Sequence, residues 1–76
     1  MTELDWLNVF GDNLASYLRD THMTQRELAD AAGLSESCIS SYIHKTKVPT
    51  IRAVINIAYA LDIDISDLID FGETII

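Results

Sequence analysis

The stretch that decides the fold is "TQRELADAAGLSESCISSYI", residues 24–43. Thr24 and Glu27 have the spacing of a capping box, in which each side chain bonds the other residue's backbone N–H, so a helix is predicted to begin just after Thr24. Gly33 is predicted to end that helix, because glycine adopts the left-handed conformation at a helix C-terminus without steric cost. Ser35 provides a second N-cap only two residues later. The stretch therefore predicts two short helices joined by a tight turn.

The apolar positions around this turn indicate how the two helices pack. Ala29 is small, which permits a close approach of the helices near the turn. Ile39 and Tyr42 follow Gly33 by six and nine residues, a spacing that returns both side chains to the first helix. A small residue, a glycine and later apolar residues at these offsets are typical of the helix-turn-helix motif.

Hydrophobic periodicity in the rest of the chain predicts three further helices. Apolar residues recur every three or four positions on both sides of the motif, with Gly11 expected to weaken the first helix. The predicted helices cover residues 4–20, 25–32, 36–44, 51–61 and 66–71, with Thr50 and Ser66 as N-caps of the last two. No alternating strand pattern with a turn signal is present, so the predicted fold class is all-α, a compact domain of five short helices.

The fourth predicted helix is the most apolar of the five. Its apolar residues are expected to face the core. The residues predicted to face inward are Ile51, Val54, Ile55, Ile57, Ala58 and Leu61.

Length and composition limit the kind of protein this can be. The chain has 76 residues, 49% of them hydrophobic and 22% charged, which fits one globular domain with a small core. Cys38 is the single cysteine, so an internal disulfide and a cysteine-based metal cluster are excluded, and a reducing, cytoplasmic setting fits best. No apolar run reaches the ~18 residues of a membrane span, so no membrane association is predicted.

The distribution of charge is more informative than its total. A formal net charge of −7 argues by itself against nucleic-acid binding, which depends on neutralising phosphates. The net charge is −3 over residues 1–18 and −5 over residues 53–76, but +1 over residues 19–52. This middle segment contains every cation of the chain, namely Arg19, Arg26, Lys45, Lys47 and Arg52. Three of the five cations therefore follow closely after the helix-turn-helix motif.

Three segments together resemble the Cro and phage-repressor type of helix-turn-helix domain, also called the xenobiotic-response-element family. They are "TQRELADAAGLS", "ISSYIHKTKVPT" and "IAYALDIDISDLI", and the resemblance covers about residues 10–70. It implies a single lambda-repressor-like domain over residues 1–76, with 1–9 extending the first helix and 72–76 forming a tail. It also implies binding to double-stranded operator DNA as a homodimer, with helix 3 in the major groove.

Carried over position by position, the resemblance assigns two sets of residues. The residues expected to read base edges are Ser35, Glu36, Ser37 and Ser41. The residues expected to bind phosphates are Gln25, Arg26, His44, Lys45 and Lys47. Because a carboxylate only accepts hydrogen bonds, Glu36 would favour the N4 amino group of cytosine, although it equally suits the positive end of the helix dipole.

The chain departs from the family pattern at three positions. Many relatives have a buried Arg–Glu ion pair where this chain has Leu18 and Ile43. Replacing both partners by apolar residues is compatible with a folded core, whereas losing one partner is costly. Lys45 stands where relatives often have glycine, so a left-handed backbone there would be mildly strained and would favour a different loop path.

The predicted function is a sequence-specific transcriptional regulator that acts as a repressor by occupying an operator. The alternative is a protein-interaction module on the same fold, such as an antitoxin-like or antagonist protein that binds a partner through its acidic surface. No enzyme, cofactor or metal site is predicted, because no nucleophile–base set is present and the residues spaced like a calcium loop after Leu61 lack its central glycine. Trp6 and the apolar tail residues Phe71, Ile75 and Ile76 are expected to complete the core or to form a dimer patch.

Overall fold

The computed structural model describes residues 3–69, which form five α-helices. The helices are α1 (Glu3–Thr21), α2 (Gln25–Ala32), α3 (Glu36–Ile43), α4 (Ile51–Leu61) and α5 (Ile65–Leu68). Over the described range there is no strand, so the predicted all-α class with a helix-turn-helix at α2 and α3 is confirmed. The first four helices begin and end within one residue of their predicted bounds, and α1 continues through Gly11 without a break.

Local hydrogen bonds explain why α2 begins and ends where it does. The Thr24 hydroxyl accepts a hydrogen bond from the Glu27 backbone N–H at 3.0 Å, and the Glu27 carboxylate accepts one from the Thr24 N–H at 2.8 Å. At the other end Gly33 has a φ of 72°, and the Leu34 N–H donates to the Ala29 carbonyl at 2.9 Å. The capping box and the glycine turn predicted from the sequence are therefore both present.

The core is formed by side chains from all five helices. Helix α2 packs against α3 and α4, α1 packs against α3 and α5, and α4 packs against α5. Completely buried side chains come from every helix, namely Phe10, Leu14, Leu28, Ile39, Ile57 and Leu68. Because α2 contacts both α3 and α4, it lies between the helix predicted to read DNA and the most apolar helix.

The predicted start of the fifth helix is wrong by two residues. The N-cap is Asp64 rather than Ser66, and the backbone N–H of Asp64 donates to the Asp67 carboxylate at 3.2 Å. Asp67 therefore occupies the position that Glu27 has in α2, three residues after its cap. This earlier start puts Leu68 into the core, where it is fully buried. The end of the prediction, at residues 70–71, lies outside the described residues.

Two residues of α4 do not face inward as predicted. Ile51 is 75% exposed and Ile55 is 46% exposed. The reason is geometric, because a helix with 3.6 residues per turn presents only one stripe to the core, and Val54, Ile57 and Ala58 occupy it. The outward face carries Ile51, Ile55 and Tyr59, which we call the α4 stripe.

Gly11 is the point at which α1 approaches α3 most tightly. A Cβ atom at this position would lie 2.8 Å from the Tyr42 carbonyl oxygen and 3.1 Å from two carbons of the Lys45 side chain. Contacts shorter than about 3.0 Å force something to move, and a backbone carbonyl at the end of a packed helix moves with difficulty.

We expect Gly11→Ala to destabilise the domain by about 1–2 kcal/mol, because the clash with the Tyr42 carbonyl outweighs the roughly 1 kcal/mol that alanine normally contributes in a helix. Urea unfolding followed by circular dichroism measures this change. The control is Asn8→Ala, at an exposed position one turn earlier in α1, which is expected to be neutral or slightly stabilising. Equal stability of Gly11→Ala and the wild type would show that α1 does not approach the Tyr42 carbonyl this closely.

Candidate nucleic-acid interface

Helix α3 has one buried face and one polar outward face. Ile39 and Tyr42 are 0% and 3% exposed, and they attach the helix to the core. On the other side Glu36 and Ser37 are exposed in the first turn, while Ser41 is half-buried one turn later. The structure thus brings these three predicted base-reading residues to the outward side of a firmly packed helix.

The fourth predicted base-reading residue, Ser35, already has a structural role. Its hydroxyl oxygen accepts a hydrogen bond from the Cys38 backbone N–H at 3.1 Å, which caps α3. The hydroxyl hydrogen is still free to donate and the oxygen keeps a second lone pair, so Ser35 is able to contact either a donor or an acceptor group on DNA. Its position at the N-terminus of a helix also favours a nearby negative charge.

The turn after α3 is held in a single geometry by backbone bonds. The Thr46 N–H donates to the Ser41 carbonyl at 2.9 Å, and Lys45 has a φ of 64°. His44 caps the helix and is exposed, and its Nδ1 donates to the Ser40 carbonyl at 2.8 Å. The expectation that the loop avoids a left-handed backbone at Lys45 is therefore wrong, and lysine occupies this conformation at a cost of roughly 1–2 kcal/mol.

The Lys45 side chain is already paired within the protein. Its Nζ donates to the Asp12 carboxylate at 2.6 Å, and its aliphatic stem lies over Gly11. Asp12 is largely exposed and Lys45 is about one-third exposed, so the pair is accessible to solvent and is worth at most about 1 kcal/mol. A phosphate that binds Lys45 therefore competes with this carboxylate for the ammonium. Sequence reasoning missed Asp12, because no local signal links residues 33 positions apart.

Lys47 lies beside the thiol of α3. Its Nζ is 3.5 Å from Cys38 Sγ, and the same sulfur is 3.5 Å from the Tyr42 hydroxyl. Hydrogen bonding from Tyr42, supported by the Lys47 ammonium and opposed by burial, lowers the pKa of the Cys38 thiol. Burial, with a further contribution from Cys38, raises the pKa of Tyr42 to about 12, so Tyr42 stays neutral and acts as a packing residue. Lys47 itself is exposed and available to a phosphate.

The remaining predicted phosphate ligands lie in the first turn of α2. Gln25 is half-buried and Arg26 is exposed. The N-terminal end of a helix carries partial positive charge and unpaired N–H groups, which suit a phosphate. Since α2 and α3 pack against each other, the first turn of α2 lies on the helix that neighbours α3.

Leu18 and Ile43, which stand where many relatives have a buried Arg–Glu ion pair, are accommodated by apolar packing. Leu18 is 7% exposed in the core, and Ile43 packs against that core from the end of α3. In residues 6–69, whose side chains the structure describes, no buried side-chain polar atom lacks a hydrogen-bond partner. Replacement of both charged positions by apolar residues therefore leaves no uncompensated group at this site.

The described part of the chain has neither a metal-binding cluster nor a membrane-spanning helix. Among the side chains of residues 6–69, no group of three or more His, Cys, Asp or Glu is arranged to hold a metal ion. Over the same residues, every helix is too short or too polar to span a bilayer.

The five-helix fold, the glycine turn and the polar outward face of α3 define a helix-turn-helix DNA-binding domain. The family model of the Cro/C1-type HTH DNA-binding domain matches residues 13–73. The chain belongs to this family, and its class of function is that of a DNA-binding transcriptional regulator.

Two solved structures are similar to this chain over most of its length. One is the restriction-modification controller protein C.AhdI from Aeromonas hydrophila, with 26% identity, a TM-score of 0.79, and coverage of 82% of this chain and 94% of that chain. The other is the SOS-response transcriptional repressor LexA from Eubacterium rectale, with 28% identity, a TM-score of 0.83, and coverage of 100% of this chain and 81% of that chain. No curated protein sequence matches the chain significantly.

Proposed function

We propose that the protein represses transcription by occupying an operator as a homodimer, with α3 in the major groove. The observation that carries the proposal is the outward face of α3, where Glu36 and Ser37 project from a helix anchored by Ile39 and Tyr42. The resemblance to a controller protein and to a repressor supports it. Operator binding implies a cytoplasmic location, and we propose no enzymatic activity.

In this proposal the two sets of residues have separate tasks. Contacts to phosphates set the register and much of the affinity, whereas contacts to base edges supply specificity. Glu36 reads a donor edge, and the serines, which have short reach, read through water or through the shape of the DNA. The phosphate contacts come from Gln25, Arg26, His44, Lys45 and Lys47.

Selection of bound sites from a random DNA library tests the proposal. A dimer is expected to select a palindrome whose half-sites lie about one helical turn, ~34 Å, apart. A mobility shift at low salt should then show retention of the selected site and release of scrambled DNA. If no sequence is enriched and no fragment is retained at any salt concentration, the DNA-binding proposal is wrong.

The second candidate function is a protein-interaction module on the same fold. Two observations favour it, namely the net charge of −7 and the pairing of Lys45 with Asp12 in the free protein. Such a module would bind a basic partner through its acidic surface. It would give no DNA retention in the mobility shift, which separates it from the regulator.

We expect Glu36→Gln to change the preferred base at one position of each half-site from cytosine to adenine. Glutamine both donates and accepts, which suits the N6 and N7 atoms of adenine, and a good contact of this kind discriminates by about 1–3 kcal/mol. Binding to all four variants of that base pair, followed by fluorescence anisotropy, measures the change. The charge-matched control is Asp20→Asn at the exposed end of α1, which should leave the base preference unchanged. If the base preference of Glu36→Gln is unchanged, Glu36 does not read a base and only stabilises the N-terminal end of the α3 helix dipole.

A further inference from the structure

The outward face of α4 carries one exposed apolar side chain in each turn. Tyr59 is 87% exposed, Ile51 75% and Ile55 46%. The three residues are spaced four apart, so they lie on one side of the helix. Val48, just before α4, and Ile65, just after it, are also exposed, at 44% and 39%.

A helix on the surface of a monomer normally has polar residues on its outward face. Helix α4 instead has an apolar face toward the core, formed by Val54, Ile57 and Leu61, and the α4 stripe on the other side. A helix with apolar residues on two sides is usually packed against other protein on both of them. Contiguous exposed apolar surface of this kind marks an interaction site.

The charges at the two ends of α4 indicate what covers the stripe. Arg52, in the first turn, is exposed, and it is the only cation from residue 48 to residue 69. Asp62 and Asp64 follow the last turn of the helix and are also exposed. The helix therefore has a cationic end and an acidic end, with an apolar stripe between them. Such a surface is complementary to a second copy of itself in the antiparallel orientation.

We infer that the α4 stripe is the surface through which two copies of this chain pair. The two α4 helices run antiparallel about a twofold axis near Ile55, the midpoint of the stripe. Ile51 of one protomer packs against the partner's Tyr59, and Arg52 faces the partner's acidic helix end, so each favourable contact occurs twice. The antiparallel orientation also aligns the two helix dipoles favourably.

This surface leaves the DNA-reading helix free. Helix α3 packs on α1 and α2, whereas α4 packs on α2 and α5, so α2 lies between α3 and α4. Pairing through the α4 stripe therefore does not use the packing surface of α3. The inference rests on the homodimer in the proposed function and adds the surface that forms it.

Sedimentation equilibrium on the full 76-residue chain tests the inference. The wild type is expected to dimerise, and Tyr59→Glu is expected to raise the dimer dissociation constant about tenfold or more, because it places a charge against an apolar side chain of the other protomer in both halves of the contact. Asn8→Glu adds the same charge at an exposed position of α1 and should leave dimerisation unchanged. Tyr59 is almost fully exposed, so circular dichroism of the variant should match that of the wild type.

Cysteine cross-linking tests the orientation. In a Cys38→Ser background, Ile55→Cys should form a disulfide-linked dimer on oxidation, since residues beside a twofold axis come within the ~7 Å Cα separation that a disulfide requires. Tyr59→Cys should not, because the two copies of residue 59 lie on opposite sides of the axis. An Ile55→Cys variant that does not cross-link, or a Tyr59→Cys variant that does, overturns the antiparallel arrangement.

Two results would overturn the inference as a whole. One is a wild-type chain that stays monomeric up to its solubility limit, which would mean that another segment covers the stripe. The other is dimerisation of Tyr59→Glu with the affinity of the wild type. Failure of the proposed function looks different, since the chain would then dimerise through the stripe but retain no DNA.

Discussion

Replacing Lys45 and Lys47 together by alanine is expected to weaken binding to every DNA sequence by close to a hundredfold at ~0.1 M salt. Each neutralised phosphate contributes about 0.9 to the slope of log affinity against log salt, which corresponds to nearly tenfold per contact at that concentration. The slope itself should therefore become shallower by about 1.8. Fluorescence anisotropy with operator and scrambled DNA at several salt concentrations measures both quantities. Because the loss concerns phosphates, the ratio of specific to non-specific affinity should hardly change.

The controls for this variant follow from the structure. Alanine at Lys45 meets the same left-handed backbone strain as lysine, so the turn should keep its geometry. Arg19→Ala removes a cation from the exposed last turn of α1 and should have a much smaller effect. Asp12→Asn should act in the opposite direction and raise DNA affinity by up to about fivefold, because Lys45 no longer exchanges a carboxylate for a phosphate. Unchanged affinity of the double alanine variant would refute the assignment of this turn to phosphate binding.

Phe10→Ala is expected to have the largest effect on stability, a loss of about 3–5 kcal/mol. Phe10 is completely buried. Its ring stacks on Trp6 with a centroid distance of 5.6 Å and makes a T-shaped contact with Tyr42 at a centroid distance of 5.8 Å. Truncation therefore leaves a cavity between α1 and α3. A domain of this length has a total stability of only about 4–11 kcal/mol, so much of the chain should be unfolded at 37 °C.

Urea and thermal unfolding followed by circular dichroism measure the loss. Phe10→Leu keeps most of the side-chain volume and is expected to cost only about 1–1.5 kcal/mol, which separates the cavity from the loss of the aromatic contacts. The same urea midpoint for Phe10→Ala and the wild type would mean that the ring does not bridge α1 and α3. The stacking also places Trp6 against the core, one of the two roles considered for it from the sequence; Phe71, Ile75 and Ile76 lie outside the described residues.

The parts of the fold that could be predicted from sequence depend on contacts between residues close in the chain. Thr24 and Glu27 are three residues apart, and Gly33 acts through its own backbone, so the bounds of α2 could be predicted without knowledge of the packing. The outward orientation of Glu36 and Ser37 follows in the same way from the inward positions of Ile39 and Tyr42 on one short helix. These residues form the centre of the candidate site.

The features that could not be predicted depend on packing between residues that are distant in the sequence. Asp64 and Ser66 are both good N-caps, and the burial of Leu68 decides between them. The apolar residues of α4 occupy more than one face, so only the packing against α2 and α5 determines that Ile51 and Ile55 are outside. The assignment of individual residues to bases or phosphates stays a prediction.

The pairing of Lys45 with Asp12 has a consequence for how the protein would search a genome. On random DNA the loss of the Asp12 pairing offsets part of the free energy that Lys45 gains from a phosphate, so encounters with non-operator sequence should be shorter than they would be without that pairing. A regulator with few cations then spends less time held on the great excess of irrelevant sites. The short residence time on each non-operator site would compensate for the low non-specific affinity. Contacts to the bases would then determine where the protein stays bound.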